Sequence, residues 1–95
     1  MKIKEQLIEY HQKGLDLHCK LTTDRLTLHQ SQEIVRRMER CVSHSLPLDS
    51  VYLDMSNVNN CHSSWSIVFG RIRRLTDAFD IELKVIGLDP KLGGF

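Results

Sequence analysis

No run of eighteen apolar residues occurs in this 95-residue chain, so no segment is long enough to read as a bilayer-spanning helix. The opening MKIKEQLIEYHQKG lacks the apolar stretch of a signal peptide, and a cytoplasmic location is the expectation. An excess of either charge is also missing. The 13 lysines and arginines face 12 aspartates and glutamates, a formal charge of +1, so the molecule as a whole is not drawn to nucleic acid or to an anionic membrane. Aromatic residues make up only 6%, and no stacking platform accompanies the basic residues, which argues against a nucleic-acid partner. Cysteine is scarce and odd in number: Cys19, Cys41 and Cys61 include no C-x-x-C pair, which fits free thiols in a reducing compartment. Cys41 and His44 are spaced C-x-x-H, and His62 follows Cys61, but a structural zinc site needs two close ligand pairs. Neither a metal nor a cofactor is therefore expected, and His11, His18, His29 and His44 read as surface or cap residues.

What is present is an ordinary globular composition, 41% apolar and 26% charged, at a length that suits one domain spanning 1–95. Leu15, Leu17, Cys19 and Leu21 share one parity and predict a strand. Ile3, Leu7, Ile8 and Tyr10 fit a strand or a short helix. The strand is preferred because a hairpin across Gln12-Lys13-Gly14 would cover the neighbour's edge. Leu28, Ile34, Val35, Met38, Cys41 and Val42 recur at helical spacing, with Arg36, Arg37, Glu39 and Arg40 on the other face. Thr27 and Gln30 are placed for a capping box, and Pro47 lies beyond the helix end. Val51, Leu53 and Met55 then alternate as a strand, completing a βαβ unit with an expected right-handed crossover. After the polar SNVNN turn, Trp65, Val68, Phe69, Ile72, Leu75 and Phe79 form the stripe of a second helix. IELKVIGL reads as the last strand and DPKLGGF as a frayed tail. The order is β-β-α-β-α-β: an α/β domain with a small mixed sheet and both helices on one face.

Ser63, Ser64 and Ser66 crowd the start of the second helix. Any one of them can cap its unpaired N–H groups, and a helix N-terminus also stabilises an added phosphate.

Residues 51–90, VYLDMSNVNNCHSSWSIVFGRIRRLTDAFDIELKVIGLDP, resemble the STAS domain of anti-sigma factor antagonists. Leu53-Asp54-Met55-Ser56-Asn57-Val58 is similar to the family's strand ending in an LDLS-V type sequence, and Ser63-Ser64 to its D-S-S-G-L-G loop. Gly70-Arg71 matches the G-R of the following helix, and Val85-Ile86-Gly87-Leu88-Asp89-Pro90 the segment closing the last strand. Lys20-Leu21-Thr22 and the helix after it fall where the family has its second strand and first helix, so the likeness covers most of residues 1–90. The resemblance implies a STAS-like fold and a non-enzymatic bacterial partner switch. Such a domain binds a protein, often a serine kinase that is also an anti-sigma factor, and phosphorylation at the helix mouth breaks the complex.

Aligned on Gly70-Arg71 without a gap, the family's acidic residue falls on Cys61 and its phosphoserine on His62, with the second serine at Ser63. A one-residue slip puts His62 at the acidic position and Ser63 at the acceptor; the glycine after the serines becomes Ser64 or Trp65. The chain also stops before the final helices of many family members. Ser63 and Ser64 are the phosphorylation candidates. The expected docking surface comprises Asn57, Asn59, Asn60, Cys61, His62, Ser63, Ser64, Trp65, Ser66 and Arg71. Trp65 lies on the apolar stripe, where a core role and an interface anchor are both open readings. Arg71, Arg73 and Arg74 form a solvated face or meet acidic groups of a partner. Gly70 weakens its helix by about 1 kcal/mol and suggests close packing against a neighbour or a partner.

Two other classes compete. A STAS-like accessory subunit of a membrane lipid or anion transporter would tolerate loss of the phosphorylation site. An enzyme built on Cys61 and His62 is disfavoured, because adjacent loop residues rarely face each other and no carboxylate partner or oxyanion site is visible.

Overall fold

The computed structural model describes residues 7–61 and 65–87, with the side chains of residues 60 and 61 left aside. Its elements are β1 (Ile8–Lys13), β2 (Asp16–Leu21), β3 (Arg25–Leu26), α1 (Leu28–Ser45), β4 (Ser50–Asp54), β5 (Asn60–Cys61), α2 (Trp65–Ala78) and β6 (Glu82–Ile86). The first run is a strand, as preferred. Its turn lies later than Gln12-Lys13-Gly14, at Gly14 and Leu15, with Gly14 at φ 61°. Leu15, expected on the apolar parity of β2, sits in that turn and is half exposed.

The main sheet has the order β1-β2-β4-β6, with β1 antiparallel to β2 and both β4 pairings parallel. Leu17, Cys19 and Leu21 of β2 and Val51 and Leu53 of β4, with Met55 just beyond it, are buried. Ile34, Val35, Met38 and Val42 of α1 and Trp65, Val68 and Ile72 of α2 complete the same core, so both helices pack on this face. The other face carries His11, His18, Tyr52 and Lys84 as one row across all four strands. The His18 and Tyr52 rings stack at 4.5 Å, and Lys84 Nζ lies 5.2 Å from the Tyr52 ring centre.

The capping box of α1 forms as expected: the Gln30 amide donates to Thr27 Oγ1 at 3.2 Å, and the Thr27 amide donates to Gln30 Oε1 at 3.3 Å. The stripe of α2 departs from expectation at its end. Phe79 is exposed, and Ile81 is the buried residue instead. Asp80, at φ 57°, turns the chain back so that the Ile81 amide reaches the Thr76 carbonyl at 2.8 Å and closes the helix. The frayed tail expected at 89–95 lies outside the described residues, as does Ile3.

Not foreseen at all is the second ladder. β3 and β5 pair in parallel through Arg25↔Asn60 and Leu26↔Cys61, joining the segment before α1 to the segment before α2.

Candidate partner-binding surface

β4 ends at Asp54, whose carboxylate Oδ1 accepts the Ser56 amide at 2.9 Å and starts a tight turn. The Val58 amide donates to the Met55 carbonyl at 3.0 Å, and the Val58 side chain is buried. A single apolar residue in an otherwise polar turn thus pins the loop to the core. From there the chain is held by its backbone: the Asn59 amide donates to the Asp24 carbonyl at 2.8 Å, and residues 60 and 61 enter the β3–β5 ladder. On the other flank Gly87, at φ 70°, brings its Cα against Ser56, where an added Cβ would lie 2.7 Å from the Ser56 Cβ. The loop therefore sits at the carboxyl ends of the parallel strands β2, β4 and β6, where open α/β sheets present their binding residues.

The expected docking residues divide by position. Asn57 is exposed, but its amide Nδ2 donates to the Leu21 carbonyl at 3.4 Å. Asn59 and Ser66 are exposed. Asn60 and Cys61 take part in the ladder, and His62, Ser63 and Ser64 lie outside the described residues. Trp65 is 1% exposed and belongs to the core, with Phe69 at 6.4 Å between ring centres. Its side chain cannot anchor a partner in this conformation, which corrects its inclusion in the docking set. The reason is the helical phase that places Trp65 in line with Val68 and Ile72 on the inner face. The indole Nε1 is buried and has no hydrogen-bond partner among the described residues.

Outside, α2 presents Ile67, Gly70, Arg71 and Arg74 at i, i+3, i+4 and i+7, one continuous stripe. Ile67 is 72% exposed, the most open of the exposed large apolar residues described. A Cβ built on Gly70 meets nothing within 4 Å. Packing among the described residues therefore does not explain this glycine, and it leaves a strip of bare helix backbone beside Ile67. Arg71 Nη2 lies 3.8 Å from Glu39 Oε1 of α1, an exposed and weak pair. Beneath it, a cleft of about 310 Å³ between the helices is lined by Gln32, Val35, Arg36, Glu39 and Arg71. Ile67 was not among the sequence candidates; its signal was an apolar residue out of phase with the buried stripe.

Among the described residues no group of three or more His, Cys, Asp or Glu could hold a metal ion. The C-x-x-H pair does not converge: His44 Nδ1 is bonded to the Arg40 carbonyl oxygen at 2.7 Å, and Cys41 Sγ lies 3.9 Å from Ser45 Oγ. No described helix is long and apolar enough to cross a membrane.

A four-stranded mixed sheet in this order, with two helices against it, has the STAS-like architecture of anti-sigma factor antagonists. The solved structure of the anti-sigma factor antagonist SpoIIAA in its unphosphorylated form superposes with a TM-score of 0.71 at 10% identity, over 88% of this chain and 76% of that one. Two structures of Mglu are also similar. One has a TM-score of 0.70 at 12% identity over 85% of this chain; the other, an L-glutamate binding form, has 0.67 at 10% identity over 83%. The chain spans only 19% and 26% of those two Mglu chains. No protein-family model and no curated protein matches the sequence.

Proposed function

We propose that this protein is a non-enzymatic regulatory module of the anti-sigma factor antagonist type, a single STAS-like domain that binds a protein partner in the bacterial cytoplasm. The observation that carries this reading is the stripe Ile67, Gly70, Arg71 and Arg74 on α2, in which Ile67 and both arginines are exposed. An exposed isoleucine next to bare helix backbone permits close approach of another chain, and the two arginines supply forked donors for its carboxylates. The likeness to SpoIIAA supports the same assignment. The partner is a serine kinase that acts as an anti-sigma factor or a related STAS-binding regulator. Control is exerted by phosphorylation at Ser63 or Ser64, immediately before the first turn of α2. A phosphate there adds up to about two negative charges a few residues ahead of the docking stripe in sequence and repels an acidic partner surface.

Affinity capture of tagged protein from its native cells, followed by mass spectrometry, tests the reading. A serine kinase or anti-sigma factor is the expected partner, lost on Arg71→Glu with the circular dichroism spectrum unchanged. Ser63→Asp or Ser64→Asp is expected to weaken the complex, and unaltered affinity in both would remove the phosphorylation switch. Capture of a transporter ATPase or permease would assign the chain instead to the accessory subunits of membrane lipid or anion transporters.

A further inference from the structure

Among the described strands, β1 lies at the edge of the main sheet. Only β2 pairs with it among the described residues, and all its residues after Ile8 are exposed. Beside it, Tyr10 of β1 and Glu33, Arg36, Arg37, Arg40 and His44 of α1 line a groove of about 320 Å³. Glu33 is the one acidic lining residue, and it is already engaged, with Arg37 Nε at 3.2 Å from Oε1 and Arg36 Nη1 at 3.5 Å from Oε2. The Arg37 hydrogen bond, with the charges of the neighbouring basic groups, holds its carboxyl below the usual range, so it stays ionised and is satisfied twice over. Arg40 makes no side-chain ion pair among the described residues. The groove therefore keeps an unbalanced positive charge next to a strand edge that no described strand pairs with.

Direction and spacing match as well. α1 connects the parallel strands β2 and β4, so it runs back along the sheet in the sense of β1. Arg36, Arg40 and His44 follow at i, i+4 and i+8, a step of about 6 Å along the axis. Alternate side chains of an extended strand repeat at about 6.8 Å. Arg36 and Arg40 are thus separated by nearly the interval at which one face of an added strand presents its side chains.

We infer that this groove binds an extended acidic peptide, which adds to the β1 edge as a strand and places carboxylates at alternate positions against Arg36 and Arg40. Backbone hydrogen bonds to β1 supply the register, and bidentate arginine–carboxylate pairs supply selectivity for acidic over basic segments. The groove is distinct from the α2 stripe, and its occupancy does not depend on what binds there.

The test uses a fluorescein-labelled peptide of four Thr-Glu repeats and the full chain, read by fluorescence anisotropy. Saturable binding is expected, weakened about tenfold or more by Arg40→Glu and by Arg36→Glu, each with an unchanged circular dichroism spectrum. Arg71→Glu, on the other helix, should leave it intact. Of two peptides N-methylated at alternate residues in opposite phases, one must lose binding, because only one phase directs its amides at β1. Equal binding of both methylated peptides, or of a block peptide with all its threonines before all its glutamates, would reduce the groove to a diffuse charge patch and overturn the inference. No binding of the alternating peptide would overturn it as well.

Discussion

A methyl group at position 87 has no room. Gly87 combines a left-handed φ of 70° with a Cβ position 2.7 to 2.8 Å from the Cβ, Cα and amide nitrogen of Ser56, two of them backbone atoms that cannot swing aside. Gly87→Ala should cost about 2 kcal/mol or more, seen as a lower urea midpoint. Gly70→Ala should do the reverse and stabilise α2 by about 1 kcal/mol, because its surroundings are empty within 4 Å. If partner binding uses the bare backbone strip, the same substitution weakens the complex while the fold gains. Trp65→Ala removes the largest fully buried side chain and should cost about 3–5 kcal/mol, a large share of a small domain's stability. At this scale the sequence was a mixed guide. The apolar stripe identified Trp65 as a core candidate, whereas the freedom around Gly70 depends on what α2 faces, which no local pattern records.

Elements with a strong period were legible in the sequence itself. α1 follows from its apolar spacing and from Thr27 and Gln30, and β4 from the alternation of Val51, Leu53 and Met55. Thr27→Ala removes the side-chain half of a box formed as expected and should cost about 1 kcal/mol, measured as a lower thermal midpoint. The β3–β5 ladder was not legible. Two-residue strands are joined by backbone groups alone, so they leave no alternation to read. The end of α2 misled for a related reason: Phe79 continues the helical period, but Asp80 adopts a left-handed backbone and ends it, handing the buried position to Ile81. Of the candidate surface, Arg71 was named from residue type, Ser63 and Ser64 lie outside the described residues, and Ile67 was missed because an apolar residue on a helix is ordinarily assigned to the core.

For the molecule as a whole, burial of Cys19 couples the sheet to pH. Desolvation in the core pushes its thiol up to about 12, with a smaller contribution from Cys41 in the same direction. A raised thiol leaves stability fully present below the unfolded-chain value near 9. Above it the unfolded chain loses a proton that the folded chain keeps until about 12. Global stability should therefore fall as pH rises through that window, approaching about 1.4 kcal/mol per pH unit, while Cys19→Ala flattens the decline. Urea midpoints between pH 8 and 11 give the comparison. The strand order carries a kinetic consequence too. Among the described strands only the β1–β2 hairpin joins neighbours in sequence; each parallel pairing of β4 must first close a loop that contains an entire helix. The hairpin can assemble early and alone, and the rate at which the native sheet appears is governed by how quickly α1 and α2 carry β4 and β6 into register.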